Sequence, residues 1–428
     1  MTAYGPKTIT RQKNLPNVLV LSGRRTVENL KAAGYRVGLA SQSIPLDLAL
    51  AADTPIEVNF DDWPAIIAQV ERVHRLTPFD AVITHLEHLL PLAGRLRDRL
   101  GLSGGISERA ALDCMDKPTT QRLLADAGLP VARFRCLTTP EQAPDAVAEL
   151  GLPVIVKPPA ASSGAGLTLS QTAEEAAAAA ADLLAAGHEA VLMEEYLRGT
   201  EIGLFAYRLA GETTVITCLK AEVGPPPKFV KLGGEYPGDL EPAVLAEVSD
   251  LTSRALAAVG LDNWVATVQM MLTADGPRVM EINPRVPGGQ TVELVAVTTG
   301  YEPTLVAADV ALGQRPRQTV TRTPFAWYRC LVFEQAGHLF YRAEAEDHIP
   351  GLESPAPPVI ELDVEPGEVV LPINHPRGGV FGRVIVRGDS QAILERDYAR
   401  ILAALDLRLE PLSDAEHEAV WRPHTRCC

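Results

Sequence analysis

The stretch WVATVQMMLTADGPRVMEINPR, residues 264–285, consists of two runs of strand-forming residues on either side of a short turn. The turn sequence Ala-Asp-Gly is typical of a three-residue hairpin loop in which Gly276 adopts the left-handed conformation. Such a loop pairs Thr273 with Pro277. The stretch therefore predicts an antiparallel hairpin whose register can be followed residue by residue.

The predicted register places Gln269 opposite Glu281. It also places Thr267 opposite Asn283 on the same face, because side chains alternate along a strand. The other face is apolar and is expected to meet the core; it carries Val268, Met270, Leu272, Met280 and Ile282. A carboxylate and two amide carbonyls on one face suit Mg²⁺, which prefers oxygen ligands. The alternative is a solvated hairpin face that ends in an Asn-Pro turn.

Arg285, Gly288 and Gly289 follow this hairpin directly. An arginine next to a metal-binding face can hold a transferring phosphoryl group or a developing oxyanion. The backbone N–H groups of the two glycines can approach an anion closely. These three residues therefore predict an anion-binding site next to the metal-binding face.

A second segment, PVIVKPPAASSGAGL at 153–167, ends a strand at Lys157 and continues into a loop of small residues. The loop residues Ser162, Ser163 and Gly164 can donate hydrogen bonds to phosphates while the lysine supplies a point charge. The segment lacks the Gly-Lys-Ser/Thr ending of a P-loop. The alternative is an ordinary flexible hairpin turn.

A third segment, VLMEEYLRGTEIGL at 191–204, is an apolar strand that runs into Glu194 and Glu195. A connection of this kind can present backbone groups and Leu197 to an adenine, while Glu201 accepts hydrogen bonds from ribose hydroxyls. The alternative is an acidic cluster at a helix N-terminus. Lys117, in MDKPTT, offers a further charge for a triphosphate or is a surface cation.

The first hundred residues show strand-helix-strand alternation, with short apolar runs at Asn17–Leu21, YRVGLAS and FDAVIT. This pattern predicts a parallel, Rossmann-like sheet. Glu87, in ITHLEHLL, follows such a strand, at the edge where these sheets bind ligands. We expect it either to bind a substrate amino group or to complement a helix dipole. Toward the C-terminus, short strands separated by Pro-Gly and Arg-Gly turns predict an antiparallel lobe closed by a helix near Gln391–Leu405.

The composition excludes several classes of protein. With 428 residues, 46% of them hydrophobic and 22% charged, the chain is expected to fold as two or three globular lobes. The formal charge of −15 argues against nucleic-acid binding, and no apolar run is long enough for a membrane span or an export signal. The six scattered cysteines show no disulfide or zinc spacing, so a cytoplasmic protein with small-molecule partners is expected.

In their order along the chain, the Asp-Lys pair at 116–117, the strand-end Lys157 with its loop, EEYLRGTE and VQM…VMEINPR resemble the ATP-grasp superfamily. The match runs from about residue 18 to 313. HPRGGVFGRVIVRG, residues 375–388, is similar to the closing hairpin of biotin carboxylase. The resemblance implies an α/β and α+β fold with a Rossmann-like domain at 1–112, an ATP-grasp domain at 113–315 with a small lid lobe at about 129–197, and a biotin carboxylase-like antiparallel lobe at 316–428.

The resemblance also implies functional roles. ATP would lie between two α+β lobes, with Lys117 and Lys157 on its phosphates, Mg²⁺ (or Mn²⁺) on the hairpin and Arg285 at the reacting phosphate. The adenine would meet Glu194, Glu195 and Leu197, and the ribose would meet Glu201. The metal ligands would be Gln269, Glu281 and Asn283. Many members have an acidic residue where this chain has Gln269, so the number of bound metals is open.

The shared chemistry of these enzymes is ATP-dependent activation of a carboxylate as an acyl phosphate, which an amine then captures. The resemblance favours a ligase that joins two amino acids, or an amino acid and a small amine. The alternatives are a bicarbonate-using carboxylase or carbamoyl phosphate synthase-type enzyme, and a nucleotide-binding regulator without turnover. Residues 220–240, rich in glycine, proline and lysine, are expected to be a connection that covers the substrate or is simply solvated. A homodimer is a further expectation from the resemblance.

Overall fold

The computed structural model describes residues 15–159, 166–226, 229–289, 291–319, 323–342, 349–375 and 377–421. Ser162, Ser163 and Gly164 lie outside the described residues. In the described part of the chain, the strands form four sheets, of four, eight, three and four strands. The eight-stranded sheet lies at the centre of the structure, because the other parts of the chain are arranged around its strands.

The N-terminal lobe is a parallel sheet with strand order β3-β2-β1-β4, as the sequence predicts. Its first strand is buried along its whole length, so helices cover both faces of the sheet. The elements of this part of the chain are β1 Asn17–Leu21, α1 Arg24–Ala32, β2 Arg36–Ser41, α2 Leu46–Ala51, β3 Thr54–Glu57, α3 Trp63–Leu76, β4 Ala81–Ile83, α4 Leu90–Arg99, α5 Glu108–Met115 and α6 Lys117–Asp126.

The small lobe is an antiparallel sheet with strand order β5-β8-β6-β7 and has an apolar core of its own. The alanine-rich segment forms a helix and packs two buried alanines, Ala176 and Ala180, against the sheet. The elements are β5 Phe134–Leu137, α7 Ala143–Leu150, β6 Val154–Lys157, β7 Thr168–Ser170, α8 Ala173–Ala185 and β8 Val191–Glu195.

The central sheet has the strand order β13-β12-β9-β10-β11-β14-β18-β16. Its first five strands come from the middle of the chain and pack on helices that follow or interrupt them. These elements are β9 Thr200–Leu209, β10 Glu212–Val223, β11 Lys231–Tyr236, α9 Pro242–Ala258, β12 Trp264–Thr273, β13 Gly276–Asn283, α10 Thr291–Thr299 and α11 Pro303–Ala311.

The C-terminal strands continue this central sheet, because β14 pairs with β11. A second, three-stranded sheet and α12 enclose a separate apolar core. The elements are β14 Phe325–Leu331, β15 Gly337–Phe340, β16 Val359–Leu362, β17 Val369–Val370, β18 Gly382–Gly388, α12 Gln391–Leu405, β19 Arg408–Glu410 and α13 Asp414–Trp421. The predicted helix at Gln391–Leu405 is confirmed, whereas the boundaries at 112/113 and 315/316 stay predictions.

The β12-β13 hairpin has the predicted functional register but a different loop. Thr273 pairs with Gly276, so the loop has two residues and the predicted pairing of Thr273 with Pro277 is wrong. A bulge at Met280 then restores the register. The carbonyl of the bulged residue accepts a hydrogen bond from Gln121 Nε2 at 3.1 Å, which accounts for the polar group that the bulge leaves unpaired.

The bulge also changes which residues reach the core. Val279 is fully buried, whereas Met280, predicted on the apolar face, lines a cavity instead. Beyond the bulge, Gln269 lies opposite Glu281 as predicted. Thr267 lies opposite Asn283, also as predicted.

Residues 220–240 include the end of one strand and the whole of a second strand paired with it, so the prediction that the entire segment is a connection is wrong. Lys220 and Glu222 belong to β10, and residues 231–236 form β11, which pairs on both sides. Gly233 and Gly234 are tolerated within this strand because neighbouring side chains occupy the space that a Cβ would need. In the described part of the chain, no helix combines the length and apolar character needed to cross a membrane.

Candidate active site

A large cavity of about 1260 Å³ lies between the small lobe and the central sheet. It brings together predicted site residues from six separate helices and strands and from the segments that follow two of them. The predicted site residues that line it are Lys117, Lys157, Glu194, Glu195, Leu197, Glu201, Gln269, Glu281, Asn283 and Arg285. Glu87, Gly288 and Gly289 are not among its lining residues.

The hairpin presents its oxygen donors to this cavity. Gln269 and Glu281 are direct cross-strand neighbours, and Asn283 is 8% exposed two residues further along β13. One carboxylate and two amide oxygens on one rigid face match the donors that Mg²⁺ takes when phosphates and waters complete its shell. Across the described residues, no cluster of three or more His, Cys, Asp or Glu has metal-binding geometry. The hairpin face therefore fits a magnesium that is shared with a phosphorylated substrate.

Lys117 reaches this face from the first turn of α6. Its position is fixed by Asp116, whose side chain caps the helix by accepting a hydrogen bond from the Thr119 N–H at 3.0 Å. The Lys117 ammonium lies 3.4 Å from a Glu281 carboxylate oxygen. The cation predicted to bind phosphate thus lies beside the carboxylate predicted to bind metal.

Lys157 ends β6 and extends into the cavity from the small lobe. Its ammonium donates to Glu194 Oε2 at 2.6 Å, and the two side chains are only 17% and 10% exposed. Glu194 was predicted at the adenine hinge; its side chain instead holds the lysine. The other oxygen of Glu194 is buried and has no partner among the described residues.

The segment after β8 turns from the small lobe into the central sheet. Glu195 accepts hydrogen bonds from the backbone and the guanidinium of Arg133, at 2.9 and 2.8 Å. Leu197 contributes apolar surface to the cavity. Glu201, at the start of β9, lies 3.4 Å from the Lys231 ammonium.

Arg285 stands at the boundary between the hairpin and the N-terminal lobe. Trp264 Nε1 donates to the Pro284 carbonyl at 2.7 Å, which fixes the turn that presents the arginine. Arg285 Nε donates to Glu87 Oε2 at 3.2 Å. A Cβ on Gly288 would lie 3.7 Å from the Arg285 guanidinium, so the glycine leaves one side of it open. Gly289 takes φ +58°, the left-handed conformation that glycine adopts readily.

His85 lies next to this pair at the end of β4. Both ring nitrogens are buried and have no hydrogen-bond partner among the described residues. Burial, with a smaller contribution from the positive charge of Arg285, lowers the pKa of His85 to about 4. The imidazole is therefore neutral at pH 7.

Sequence reasoning missed a set of charged residues on the cavity wall. They lie on β10, β11 and β14 and comprise Lys220, Glu222, Lys231, Glu235 and Arg329. Their signal was the spacing of charges at alternate positions, as in KAE and in KLGGE, which places side chains on one face of a strand. The signal was lost because residues 220–240 were interpreted as a connection.

Among the described residues that line the cavity, the charges balance, with six lysines and arginines against six glutamates. Most of the cations are already paired with a carboxylate. Anionic phosphates and a divalent metal can replace these ion pairs without leaving a charge unpaired. The metal would bind the Glu281 carboxylate, and Lys117 would then bind phosphate. The arrangement is suited to binding both groups together.

A family model matches the same part of the chain. The model of the phosphoribosylglycinamide synthetase ATP-grasp (A) domain matches residues 115–221, which include both lysines and the segment after β8. The chain carries an ATP-grasp domain at these residues. It is an ATP-dependent ligase, and the cofactors of this ATP-grasp enzyme are ATP and Mg²⁺.

Other proteins are similar to this chain over more of its length. The uncharacterized protein y4rH of Sinorhizobium fredii is 26% identical over 380 residues, covering 86% of this chain and 76% of that protein. The D-alanine–D-alanine ligase of Desulforudis audaxviator is 29% identical over 298 residues, covering 65% of this chain and 86% of that enzyme. The crystal structure of an L-amino acid ligase from Bacillus licheniformis has the same fold, with a TM-score of 0.72 and 19% identity over 94% of this chain and all of that one.

Proposed function

We propose that this ATP-grasp enzyme joins the carboxylate of an amino acid to the amine of a second amino acid, with conversion of ATP to ADP and phosphate. The observation that carries the proposal is the contact between Arg285 and Glu87. It places a cation suited to a carboxylate and a phosphoryl group beside an anion suited to an ammonium group. An amino acid has both of these groups on one carbon atom.

The residue roles follow from the cavity. Lys117 and Lys157 would neutralise the triphosphate, and Glu201 would accept from the ribose. Gln269, Glu281 and Asn283 would hold Mg²⁺, which, when bound, spreads the charge of the transferring phosphoryl group. The adenine would meet Leu197 and the backbone at Glu194 and Glu195, and Ser162, Ser163 and Gly164 keep their proposed contacts with phosphates.

The reaction needs no nucleophile from the protein. A carboxylate oxygen of the first amino acid attacks the γ-phosphorus, and the bond to the ADP oxygen breaks. The amine of the second substrate then attacks the acyl carbon, loses a proton and displaces phosphate, which keeps the attacking carboxylate oxygen. Arg285 would hold the reacting phosphoryl group during both steps.

Glu87 would orient the first amino acid in this scheme. Its carboxylate would accept from the α-ammonium group, and its contact with Arg285 keeps it within reach of the reacting carboxylate. The neutral His85 behind the pair excludes water from the acyl phosphate without adding a competing charge. The names of the two ligases that resemble this chain, for D-alanine and for L-amino acids, support the same substrate class.

The size of the cavity also supports two substrates. Pockets for a single small ligand measure roughly 300 to 1,000 Å³. The cavity of about 1260 Å³ exceeds this range. It therefore has room for a nucleotide together with a further small molecule.

Oxygen-18 transfer tests the acyl phosphate step. Amino acids labelled with oxygen-18 in the carboxylate are incubated with ATP and Mg²⁺, and the released phosphate is analysed by mass spectrometry. We expect one labelled oxygen per phosphate. Unlabelled phosphate from a reaction that forms an amino-acid product would contradict the mechanism, and phosphate release that depends on bicarbonate would replace it with carboxylation.

A further inference from the structure

A charged part of the cavity wall consists of residues that are not assigned to ATP, magnesium or the first amino acid, although one of them, Lys231, lies 3.4 Å from Glu201. We call it the β14 wall; it consists of Lys220, Glu222, Lys231, Glu235 and Arg329. The three strands that carry it, β10, β11 and β14, are adjacent in the central sheet. Lys220 and Glu235 are direct cross-strand neighbours.

Arg329 is the most firmly held member of the β14 wall. Its Nη2 donates to Glu235 Oε1 at 3.0 Å, and its Nε lies 3.3 Å from Glu222 Oε2. The guanidinium carbon lies 4.5 Å from the centre of the Trp327 ring, a cation–π distance. The arginine side chain is 16% exposed. A guanidinium held on three sides is preorganised before any ligand arrives.

Gly233 explains how the guanidinium reaches across β11. It is the cross-strand neighbour of both Glu222 and Arg329. A Cβ at this position would lie 3.0 Å from Glu222 Oε2 and 3.1 Å from Arg329 Cδ. A side chain there would therefore separate the arginine from its partner.

The contacts of Arg329 leave a two-point binding edge. A guanidinium has five N–H groups. Among the described residues, Nε lies beside Glu222, Nη1 donates to the Tyr328 carbonyl and Nη2 donates to Glu235. Each terminal nitrogen therefore has a second N–H group, and such a pair matches the two oxygens of a carboxylate.

We propose that Arg329 binds the α-carboxylate of the second amino acid, the one whose amine captures the acyl phosphate. This inference rests on the proposed function. In that reaction the first carboxylate is consumed at Arg285, while the second is still ionised in the product and needs a cation of its own. Arg329 supplies it in the same cavity, on a strand that carries neither Lys117 nor Lys157.

The inference has a consequence for substrate choice. An acceptor with a free α-carboxylate gains a charge-assisted, two-point contact that a simple amine or an α-amide lacks. Loss of one such contact costs about 10- to 100-fold in apparent affinity. Arg329 would therefore select amino acids over other amines.

The test compares each common L-amino acid with its α-amide as second substrate, at saturating ATP, Mg²⁺ and first amino acid. In the wild-type protein we expect the KM of the free acid to be about 10- to 100-fold lower than that of the amide. In Arg329→Met and Arg329→Gln we expect the acid KM to rise to that of the amide, with the KM of ATP unchanged. Arg383→Met is the matched control, because this arginine on the adjacent strand also pairs with a glutamate but does not line the cavity.

Either of two results would overturn the role of Arg329 without overturning the proposed function. The wild-type protein could use the α-amide as well as the free acid, or an Arg329 variant that binds ATP could keep the wild-type preference for the free acid. ATP affinity, measured by calorimetry, shows that each variant is folded. A wild-type protein that joins no pair of amino acids would overturn the proposed function, and this subsite with it.

Discussion

Arg285 and Glu87 are 198 positions apart in the chain, yet Arg285 Nε and Glu87 Oε2 are 3.2 Å apart. One residue follows the last strand of the central hairpin, and the other follows the last strand of the parallel sheet. Their contact joins the central hairpin, which is expected to bind phosphate, to the N-terminal lobe, which is expected to bind substrate. The proposed reaction is centred at this contact.

Replacing Arg285 with alanine is expected to lower turnover by about 100- to 1,000-fold, because the variant loses the cation at the reacting phosphate. ATP affinity should change little, since both lysines are still present. Steady-state phosphate release and calorimetry measure the two quantities. Arg109→Ala is the control, because this arginine pairs with a carboxylate on an exposed helix face. Wild-type turnover in Arg285→Ala would remove the residue from the mechanism.

Replacing Glu281 with glutamine is expected to weaken Mg²⁺ specifically. The substitution removes the one carboxylate of the proposed ligand set but keeps an oxygen donor at the same place. A titration of activity with Mg²⁺ at fixed ATP should show an apparent metal affinity at least about tenfold weaker, since a carboxylate contact of this kind is worth more than 1.4 kcal/mol. Glu212→Gln, on an exposed side chain, should leave the titration unchanged. An identical metal titration in Glu281→Gln would contradict the assignment.

Replacing Lys157 with methionine is expected to weaken both ATP binding and the fold. The fold loses about 3 kcal/mol because the buried Glu194 carboxylate is left without its partner. The double variant Lys157→Met/Glu194→Gln should recover most of this stability but not the ATP affinity. Urea unfolding and calorimetry separate the two effects. Recovery of ATP affinity in the double variant would show that the lysine does not bind phosphate.

Gly233→Ala is expected to displace Arg329, because the added methyl group would lie 3.1 Å from its Cδ atom. The added methyl group crowds Glu222 and the β14 backbone, which lowers stability by about 1 to 3 kcal/mol. The KM of the second amino acid should rise while the KM of ATP stays constant. Gly203→Ala is the control, because a Cβ there makes only ordinary contacts at 3.8 Å. Equal changes in both constants would point to a general loss of structure.

Acid is expected to destabilise the protein partly through His85. Its pKa is about 4 in the folded chain, below the ordinary value of 6.5, so between these values the unfolded chain binds the proton preferentially. The contribution of neutral His85 to the free energy of unfolding is complete above pH 6.5 and is lost as the pH falls toward 4. Between pH 7 and pH 5 the wild-type protein should lose about 2 kcal/mol more than His85→Gln in urea unfolding. Equal losses in the two proteins would contradict the pKa shift.

The sequence predicted the parallel sheet, the helix at Gln391–Leu405 and the functional pairs of the hairpin. These features depend on local periodicity, which a single chain displays directly. The loop of the hairpin was predicted wrongly because a two-residue turn and a bulge at Met280 together give the same pairing of Gln269 with Glu281. Only the bulge's contact with Gln121, distant in sequence, distinguishes the two arrangements.

The role of a site residue was predictable where it depends on a local sequence motif. It was not predictable where it depends on neighbours in the assembled sheet. Lys157 could be assigned to phosphate from its strand end, but its partner Glu194 depends on the pairing of β6 with β8. Arg329 was missed because its partners lie on two other strands, and the glycine between them has a meaning only in the assembled sheet.

The most decisive measurement is phosphate release from ATP and Mg²⁺ with pairs of amino acids, followed by mass spectrometry of the products. We predict that release requires both amino acids and that the product has their summed mass less one water. Release that requires bicarbonate, or ATP binding without release for any pair, would contradict the proposal that this ATP-grasp enzyme joins amino acids.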